Sequence, residues 1–344
     1  MKILIVRVGR AGDMVMITPA ISALLKHYPD ANFTLLASPE GHRVLGDFSD
    51  RIQAITVYDR KLPWSLFARG AIRGKIASAQ FDHIYCFEYT PKYYRLFGES
   101  PAQVHGLNRL KGEKHYAQLC LDLVSMGVGH DVGPYPLHLP VGGEAEDKNK
   151  HYLTQFGITE NSMLLALHPT YSAAGKRFGR WKHKRNKLWL PESYGALCDR
   201  LHIDAQRRGV DLKLVMNLMP DECAIGKKIV DCSRGSVALL SPPPDFQAYK
   251  AFLKRADLLV TPDTGPMHMA AALGTPVVAL FAGKDPNDCG PFVPEARRRI
   301  LRAEETETPE GGIAAIGVEA VYRACIALMG SRPRSSPRAA PAPF

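Results

Sequence analysis

The sequence predicts an α/β protein made of two similar halves, each with a parallel sheet. Short apolar segments alternate with segments of helical length along most of the chain, a pattern typical of βαβ units. The alternation breaks down near residue 145 and then starts again. At 344 residues the chain is long enough for two domains of ordinary size. Two such halves imply a cleft between them.

The first half opens with a β-branched run at 3–8, a glycine turn at 9–12 and helical spacing from 17 to 25. Further short buried strands are predicted at 32–37, 52–57 and 82–87. From 127 to 149 the periodicity fails, and repeated Gly and Pro predict the end of a domain followed by a crossing strand. We place the boundary near 145, which gives domains 1–145 and 146–330.

The second half repeats the alternation. Strands are predicted at 163–168, 210–216, 257–261 and 276–281, and helices at 194–208, 221–232, 245–255 and 266–273. The last segment, 331–344, is rich in Pro, Ser and Ala with almost no apolar side chain to bury, and it is predicted to be a disordered tail.

Composition excludes several classes of protein. With 46% hydrophobic and 23% charged residues, the chain is neither disordered nor a small disulfide scaffold. Its seven cysteines have no Cys-x-x-Cys pair and no zinc-type spacing, which predicts reduced thiols in a cytoplasmic protein. The first residues lack the apolar core of a signal peptide, and no stretch approaches the roughly 20 apolar residues of a membrane span. Any membrane contact is therefore expected to be peripheral.

The formal charge of +10 would suit nucleic acid, an anionic membrane or a phosphorylated substrate. Two segments account for it: the run 176–187 has seven Lys/Arg and no acid, and the tail 331–344 has three and no acid. The run is either a solvated loop or a phosphate-binding loop. Gly175-Lys176 is superficially like a P-loop, but Arg177 replaces the hydroxyl residue and Thr170 stands where the first glycine belongs, so we reject an NTPase.

The first motif that could carry chemistry is Gly9-Arg-Ala-Gly12-Asp13, between strand and helix. Its glycines allow a tight turn, amide groups at the helix start can face an anion, and Asp13 lies at the carboxyl edge of the sheet, where such folds bind ligands. Two interpretations stay open. Asp13 is either a helix N-cap or a general base for an acceptor hydroxyl.

The second motif is Asp263-Thr264-Gly265, which joins an apolar strand to a helix of small residues. Free N–H groups at the start of that helix, beside the Thr hydroxyl, suit a pyrophosphate. In the alternative interpretation Asp263 and Thr264 only cap the helix, and His268 is a structural histidine. No Asp-x-Asp occurs anywhere in the sequence, so a bound metal is not indicated.

Taken together, the two motifs resemble those of the heptosyltransferase family, also known as glycosyltransferase family 9. The resemblance lies in residues 3–21 with Leu24 and Tyr28-Pro29, and in the segment Asp263-Thr-Gly-Pro-Met-His268 that continues to 281. It implies a GT-B architecture, with two Rossmann-like domains facing each other across a cleft. The N-terminal domain would bind the acceptor, and the C-terminal domain the nucleotide-sugar.

The resemblance further implies the transfer of heptose from ADP-heptose to the inner core of lipopolysaccharide, with inversion and without metal or other cofactor. Asp13 matches the general base, and Lys187, ahead of Trp189 and Pro191, matches a lysine that neutralises the donor pyrophosphate. The loop before Lys187 is longer and more basic than is usual in the family, which leaves Lys182, Lys184 or Arg185 as alternatives. The remaining matches are Thr170, Tyr171, Glu222, Asp263, Thr264, Gly265 and His268 for the nucleotide-sugar, Glu222 at its nucleoside, and Arg7, Arg10 and Arg60 for phosphates of the acceptor.

Three other functions remain open from the sequence. A related GT-B enzyme, such as a sugar-nucleotide epimerase, would act on the nucleotide-sugar alone. A non-catalytic protein of the same fold would bind an ADP-sugar without turnover. A nucleic-acid binder fits the charge, but the chain has no recognition motif for nucleic acid, so we expect no nucleic-acid partner. The expected location is the cytoplasm, with peripheral contact to the inner membrane.

Overall fold

A computed structural model describes residues 1–58, 64–98, 100–110, 113–171 and 187–330. Arg60, the basic run up to residue 186 and the tail 331–344 lie outside the described residues, and so do Lys182, Lys184 and Arg185. Contacts between Cα atoms divide the chain into two compact units, which we call unit 1 (residues 1–140) and unit 2 (residues 141–330).

Unit 1 contains a five-stranded parallel sheet of order β3-β2-β1-β4-β5, with β1 at its centre. Its strands are β1 (Lys2–Arg7), β2 (Asn32–Ala37), β3 (Ile52–Val57), β4 (His83–Cys86) and β5 (Gln103–Gly106). Its helices are α1 (Ala11–Val15), α2 (Thr18–His27), α3 (Pro39–Leu45), α4 (Trp64–Ala79), α5 (Pro91–Tyr94) and α6 (Tyr116–Val128), with a 3₁₀ turn at Leu107–Arg109.

Unit 2 contains a six-stranded parallel sheet of order β11-β10-β9-β6-β7-β8. Its strands are β6 (Met163–Leu167), β7 (Leu212–Asn217), β8 (Val237–Leu240), β9 (Leu258–Pro262), β10 (Val277–Phe281) and β11 (Arg298–Arg302). Its helices are α7 (Gly143–Thr154), α8 (Pro191–Arg207), α9 (Cys223–Cys232), α10 (Phe246–Arg255), α11 (Gly265–Ala272), α12 (Pro286–Cys289) and α13 (Val318–Gly330), with 3₁₀ turns at Glu295–Arg297, Ala303–Glu305 and Pro309–Ala315.

The predicted strands are all present, with ends that differ by at most two residues, but three strands were not predicted. These are β5, β8 and β11, and each lies at the edge of its sheet. Central parallel strands are covered on both faces and are therefore continuous apolar runs, whereas the edge strands β5 and β11 carry polar residues. The edge strand β8 is apolar but only four residues long. The crossing strand expected before residue 149 was wrong, because residues 143–154 form the polar helix α7.

The core of unit 2 fixes the segment that precedes α8. Trp189 is buried, donates its indole N–H to the carbonyl of Ile316 at 2.8 Å, and meets Tyr194 edge-to-face at 4.7 Å between ring centroids. This packed and hydrogen-bonded indole anchors the chain two residues after Lys187. All seven cysteines are unpaired. In the part of the chain that the structure describes, no single helix is long and apolar enough to cross a membrane; one bent pair, Pro309–Ala315 with Val318–Gly330, has the required length and composition.

One buried histidine of unit 1, His105, has a shifted pKa. His105 is 5% exposed, stacks on Tyr85 with 4.6 Å between ring centroids, and lies with Nε2 3.3 Å from Nδ1 of His83. Burial, together with the charges of His83 and Arg109, lowers the pKa of His105 to about 4. The imidazole is therefore neutral in the folded protein at pH 5, where it is largely protonated in the unfolded chain.

We expect this difference to destabilise the protein in acid. The contribution of His105 to the free energy of unfolding is fully present above pH 6.5, the ordinary pKa of histidine, and is lost as the pH falls from 6.5 to about 4. The loss amounts to about 3 kcal/mol. His105→Phe should flatten this part of the pH dependence of the free energy of unfolding, measured in urea between pH 4 and 7.5. His42→Asn, at an exposed position of α3, is the control. An unaltered slope in His105→Phe would refute the assignment.

Candidate functional site

Asp13 lies in α1, just after the glycine turn that follows β1, and its carboxylate contacts Arg10 and Arg7. Helix α1 has Arg10 at its N-cap position, and Oδ2 of Asp13 accepts the backbone N–H of Arg10 at 2.8 Å. Oδ1 lies 3.1 Å from a guanidinium nitrogen of Arg7. The N-cap interpretation of Asp13 was therefore wrong, because the carboxylate closes the first turn from its third position. The side chain is still 37% exposed, so a substrate hydroxyl can reach it.

Arg7 is the buried cation beside Asp13. Its side chain is 11% exposed, and its guanidinium also lies 3.2 Å from Oε2 of Glu88 and donates to the carbonyl of Phe87 at 2.9 Å. The Cζ atom of Arg7 lies over the ring of Tyr116, 4.7 Å from the ring centroid. This inward orientation suits the positioning of Asp13 better than the acceptor contact that the resemblance implies for Arg7.

Glycine at position 9 is required by the approach of Asp13. A Cβ atom on Gly9 would lie 2.3 Å from Cβ of Asp13, well inside van der Waals contact. The carbonyl of Gly9 accepts the hydroxyl of Ser38 at 2.5 Å, and this hydroxyl also accepts the N–H of Gly41 at 2.9 Å to cap α3. The glycine turn predicted from the sequence therefore holds the Asp13 side chain against the main chain.

The second motif forms a charged cluster in unit 2. Oδ2 of Asp263 lies 2.6 Å from Nζ of Lys187 and 3.3 Å from Nζ of Lys284, and the carboxylate is 8% exposed. Burial raises the pKa of Asp263, but the two ammonium groups, the hydrogen bond from Lys187 and the charge of His268 outweigh it, so the net pKa lies below the usual value. Two cations share one carboxylate, and the three groups carry a net positive charge.

Helix α11 begins directly after this cluster. Thr264 occupies its N-cap position with extended backbone, but the Thr264 side chain accepts no N–H of the first turn. Its hydroxyl instead lies 3.0 Å from that of Thr261. The interpretation that Asp263 and Thr264 only cap the helix was therefore wrong, since Asp263 is bound to lysines. The positive end of the helix and two ammonium groups meet at one place, which is chemically suited to a diphosphate.

A second polar group follows β6 and β7. The Thr170 hydroxyl donates to Oε1 of Glu222 and lies 3.1 Å from Nε2 of His168, while Oε2 of Glu222 accepts the N–H of Met219 at 3.2 Å. His168 is fully enclosed, and burial lowers its pKa. Glu222 precedes α9 at its N-cap position and is partly exposed, so its carboxylate can meet a polar ligand. Tyr171 lies next to this group, and partial burial raises its pKa.

Three residues of these clusters were not predicted from the sequence: Glu88, Lys284 and His168. Glu88 contacts a residue 80 positions earlier, and such a separation leaves no local pattern. Lys284 follows β10, so the rule that ligands bind beyond the carboxyl ends of parallel strands could have found it. Among the described residues no group of three or more His, Cys, Asp or Glu side chains could hold a metal ion.

Residues 159–313 match the sequence profile of glycosyltransferase family 9 (heptosyltransferase). This segment contains Thr170, Lys187, Glu222 and the Asp263 motif. Lipopolysaccharide heptosyltransferase 3 of Escherichia coli is 25% identical over 303 residues, which cover 80% of this chain and 81% of that protein. Over this segment the chain is similar to glycosyltransferase family 9. The protein is a glycosyltransferase, and the heptosyltransferase resemblance of the sequence is confirmed.

Solved structures of this family have the same fold. The glycosyl transferase family 9 protein from Veillonella parvula superimposes with a TM-score of 0.79 at 19% identity, covering 96% of this chain and 97% of that one. The E. coli ADP-heptose lps heptosyltransferase II superimposes with a TM-score of 0.70 at 19% identity, covering 96% and 98%. These likenesses confirm the α/β fold of two Rossmann-like, parallel-sheet domains expected for a family 9 enzyme of GT-B type.

Proposed function

We propose that this glycosyltransferase transfers heptose from ADP-heptose to the inner core of lipopolysaccharide, with inversion and without a metal ion. The names of its relatives support the donor and the acceptor, since one is a lipopolysaccharide heptosyltransferase and another is an ADP-heptose enzyme. The observation that carries the proposal is the contact between Lys187 and Asp263. The two residues are 76 positions apart in the chain and meet just before the start of α11. Both belong to the segment 159–313 that matches the family.

Unit 2 would bind the donor. Lys187 and Lys284 would neutralise the pyrophosphate, aided by the first turn of α11, and this charge stabilises the leaving ADP as a metal ion does in other transferases. Asp263 would hold the two ammonium groups in place before the donor arrives. Glu222, oriented by Thr170, would accept hydrogen bonds from hydroxyl groups of the nucleoside.

Unit 1 would bind the acceptor and supply the base. The acceptor hydroxyl oxygen forms a bond to the anomeric carbon of the heptose as the bond from that carbon to the pyrophosphate oxygen breaks. The hydroxyl proton passes to Asp13, and ADP leaves with the electron pair of the broken bond. Attack on the face opposite the leaving group inverts the anomeric centre. Asp13 is suited to this step because its carboxylate is held by Arg7 and Arg10 and is still open to solvent.

A product assay tests this function. The purified protein would be incubated with ADP-heptose and truncated lipopolysaccharide, and in parallel with GDP- and UDP-sugars, and products would be identified by mass spectrometry. We expect a mass increase of one heptose in the lipopolysaccharide with ADP-heptose. Conversion of the nucleotide-sugar without an acceptor would instead indicate an epimerase, and binding without turnover a non-catalytic protein. No transfer from any ADP-sugar would contradict the proposal.

The acceptor also suggests a location. We propose that the enzyme works in the cytoplasm at the surface of the inner membrane, because seven of the residues from 176 to 187 are Lys or Arg and would be attracted to anionic lipid. Sedimentation with vesicles of anionic and of neutral lipid would test this location. Equal, weak sedimentation with both would contradict it.

A further inference from the structure

Unit 1 holds a second carboxylate, Glu88, which contacts a different nitrogen of the Arg7 guanidinium from the one that Asp13 contacts. Glu88 follows β4, and its Oε1 accepts the N–H of Val8 at 2.7 Å. Its Oε2 lies 3.2 Å from the NH1 atom of Arg7, while the NH2 atom of Arg7 lies 3.1 Å from Asp13. Side-chain exposure is 9% for Glu88 and 11% for Arg7. The buried guanidinium therefore bridges two carboxylates.

We propose that Glu88 is a positioning residue for the transfer reaction, which acts on the Asp13 carboxylate by sharing the guanidinium of Arg7. The inference rests on the proposed role of Asp13 as general base. Neither Glu88 nor Arg7 needs to touch the substrate.

The charges of the cluster give the reason. A buried arginine paired with Asp13 alone would form a neutral ion pair, and the full attraction of the guanidinium would weaken the carboxylate as a proton acceptor. Glu88 contacts the same cation, so the three groups together carry one net negative charge. The charge of Glu88 partly offsets the attraction of the guanidinium for Asp13, which keeps Asp13 a better proton acceptor, as a general base requires.

Glu88 also fixes the main chain that leads to Asp13. The N–H of Val8 is the last backbone donor before the turn at Gly9, and Glu88 accepts it. Phe87, the neighbour of Glu88, accepts both Arg7 and the hydroxyl of Tyr116 through its carbonyl oxygen. The residues after β4 therefore hold the end of β1 through three contacts, namely Val8 N–H to Glu88, Arg7 to the carbonyl of Phe87 and Arg7 to Glu88. The close approach of Gly9 to Asp13 transmits that geometry to the carboxylate.

Three other titratable groups near Arg7, on Tyr116, Cys120 and Cys86, carry no charge near neutral pH. Tyr116 and Cys120 both lie on α6. Burial raises the pKa of Tyr116, and it raises the pKa of Cys120 to about 12. Burial also raises the pKa of Cys86, at the end of β4, to about 12. Arg10 contributes its backbone N–H and the positive charge of an exposed side chain. A change at Glu88 is thus felt mainly through Arg7.

The test compares Glu88→Gln with Asp82→Asn. Glutamine keeps an oxygen for the N–H of Val8 but removes the charge. Asp82 is the matched control, because it accepts the N–H of Lys2 at 2.7 Å at the opposite end of β1. In Glu88→Gln we expect kcat to fall about 10- to 100-fold with the KM for ADP-heptose unchanged, and the acidic limb of the pH–rate profile to move about one unit lower. Asp82→Asn should show neither change.

Two further measurements keep the test decisive. Glu88→Asp retains the charge, so its acidic limb should stay at the wild-type pH even if kcat falls, and this comparison serves if the glutamine variant does not fold. Hydrogen exchange at the Arg10 amide needs no activity, and in Glu88→Gln it should become several-fold faster as Asp13 moves toward Arg7. If Glu88→Gln showed the same pH–rate profile and the same hydrogen-exchange rate at the Arg10 amide as Asp82→Asn, the inference would be overturned.

If the wild type transferred no heptose, the proposed function would be refuted instead. The hydrogen-exchange rate at the Arg10 amide would then decide the role of Glu88.

Discussion

Asp13→Asn is expected to abolish most turnover while leaving the fold and donor binding nearly intact. The amide is the same size as the carboxylate, and its oxygen can still accept the N–H of Arg10, so the first turn of α1 is kept. It cannot take a proton at neutral pH. Since general base catalysis contributes roughly 10²- to 10⁴-fold, kcat should fall by that factor, with the dissociation constant for ADP unchanged.

A control separates this effect from a general loss of charge in unit 1. Asp30→Asn removes an exposed carboxylate of the same unit and should transfer heptose at the wild-type rate. Thermal unfolding of both variants would show whether the loss of the Arg7 contact destabilises the protein, which we expect to be a modest effect because Glu88 still pairs with Arg7. Near-normal transfer by Asp13→Asn would show that another group is the base.

Lys187→Met is expected to weaken donor binding strongly. The Lys187 ammonium is 24% exposed and lies against Asp263, where the diphosphate would bind. Hydrogen bonds to charged groups are worth about 1.5–3 kcal/mol, which corresponds to a rise of about 10- to 100-fold in the dissociation constant for ADP. Lys284 remains beside Asp263 in this variant and should preserve part of the affinity.

Isothermal titration with ADP would measure the effect, and Lys150→Gln is the matched control. Lys150 also forms an ion pair in unit 2, at 2.5 Å from Glu160, but both side chains are more than half exposed. Exposed pairs of this kind contribute little, so ADP binding should not change. If Lys187→Met bound ADP as tightly as Lys150→Gln, the pyrophosphate would be held elsewhere, and the basic residues of the preceding run would become the first alternatives.

Much of the fold could be predicted because parallel sheets bury their central strands. The run Lys2–Arg7 and the run Val277–Phe281 are apolar almost throughout, and both were found from the sequence. Three of the four edge strands were not found, whereas the edge strand Ile52–Val57 was predicted. Gln103–Gly106 and Arg298–Arg302 contain polar residues, and Val237–Leu240 is only four residues long. Helix α7 was missed for a similar reason, since most of its residues are polar and it buries only a few side chains.

Part of the candidate site was predictable for the same reason. Asp263 directly follows the central strand β9, and Asp13 lies in the helix after the central strand β1. Ligands of this fold class bind beyond the carboxyl ends of such strands. The partners of these carboxylates were harder to find. Glycine at 9 and aspartate at 13 are visible as a motif, but their contact at the Cβ position, which excludes any other residue at 9, requires the folded turn.

The sequence by itself determined the alternation of strands and helices, the two halves, and the two acidic motifs that mark the family. Only the tertiary structure decided which distant charges meet. Parallel pairing of β1 with β4 places Glu88 beside Arg7, 81 positions away in the chain, and the loop after β10 places Lys284 beside Asp263. The physical reason is that a local pattern reports how each segment buries its own apolar face, whereas an ion pair forms wherever the order of strands brings two chain segments together.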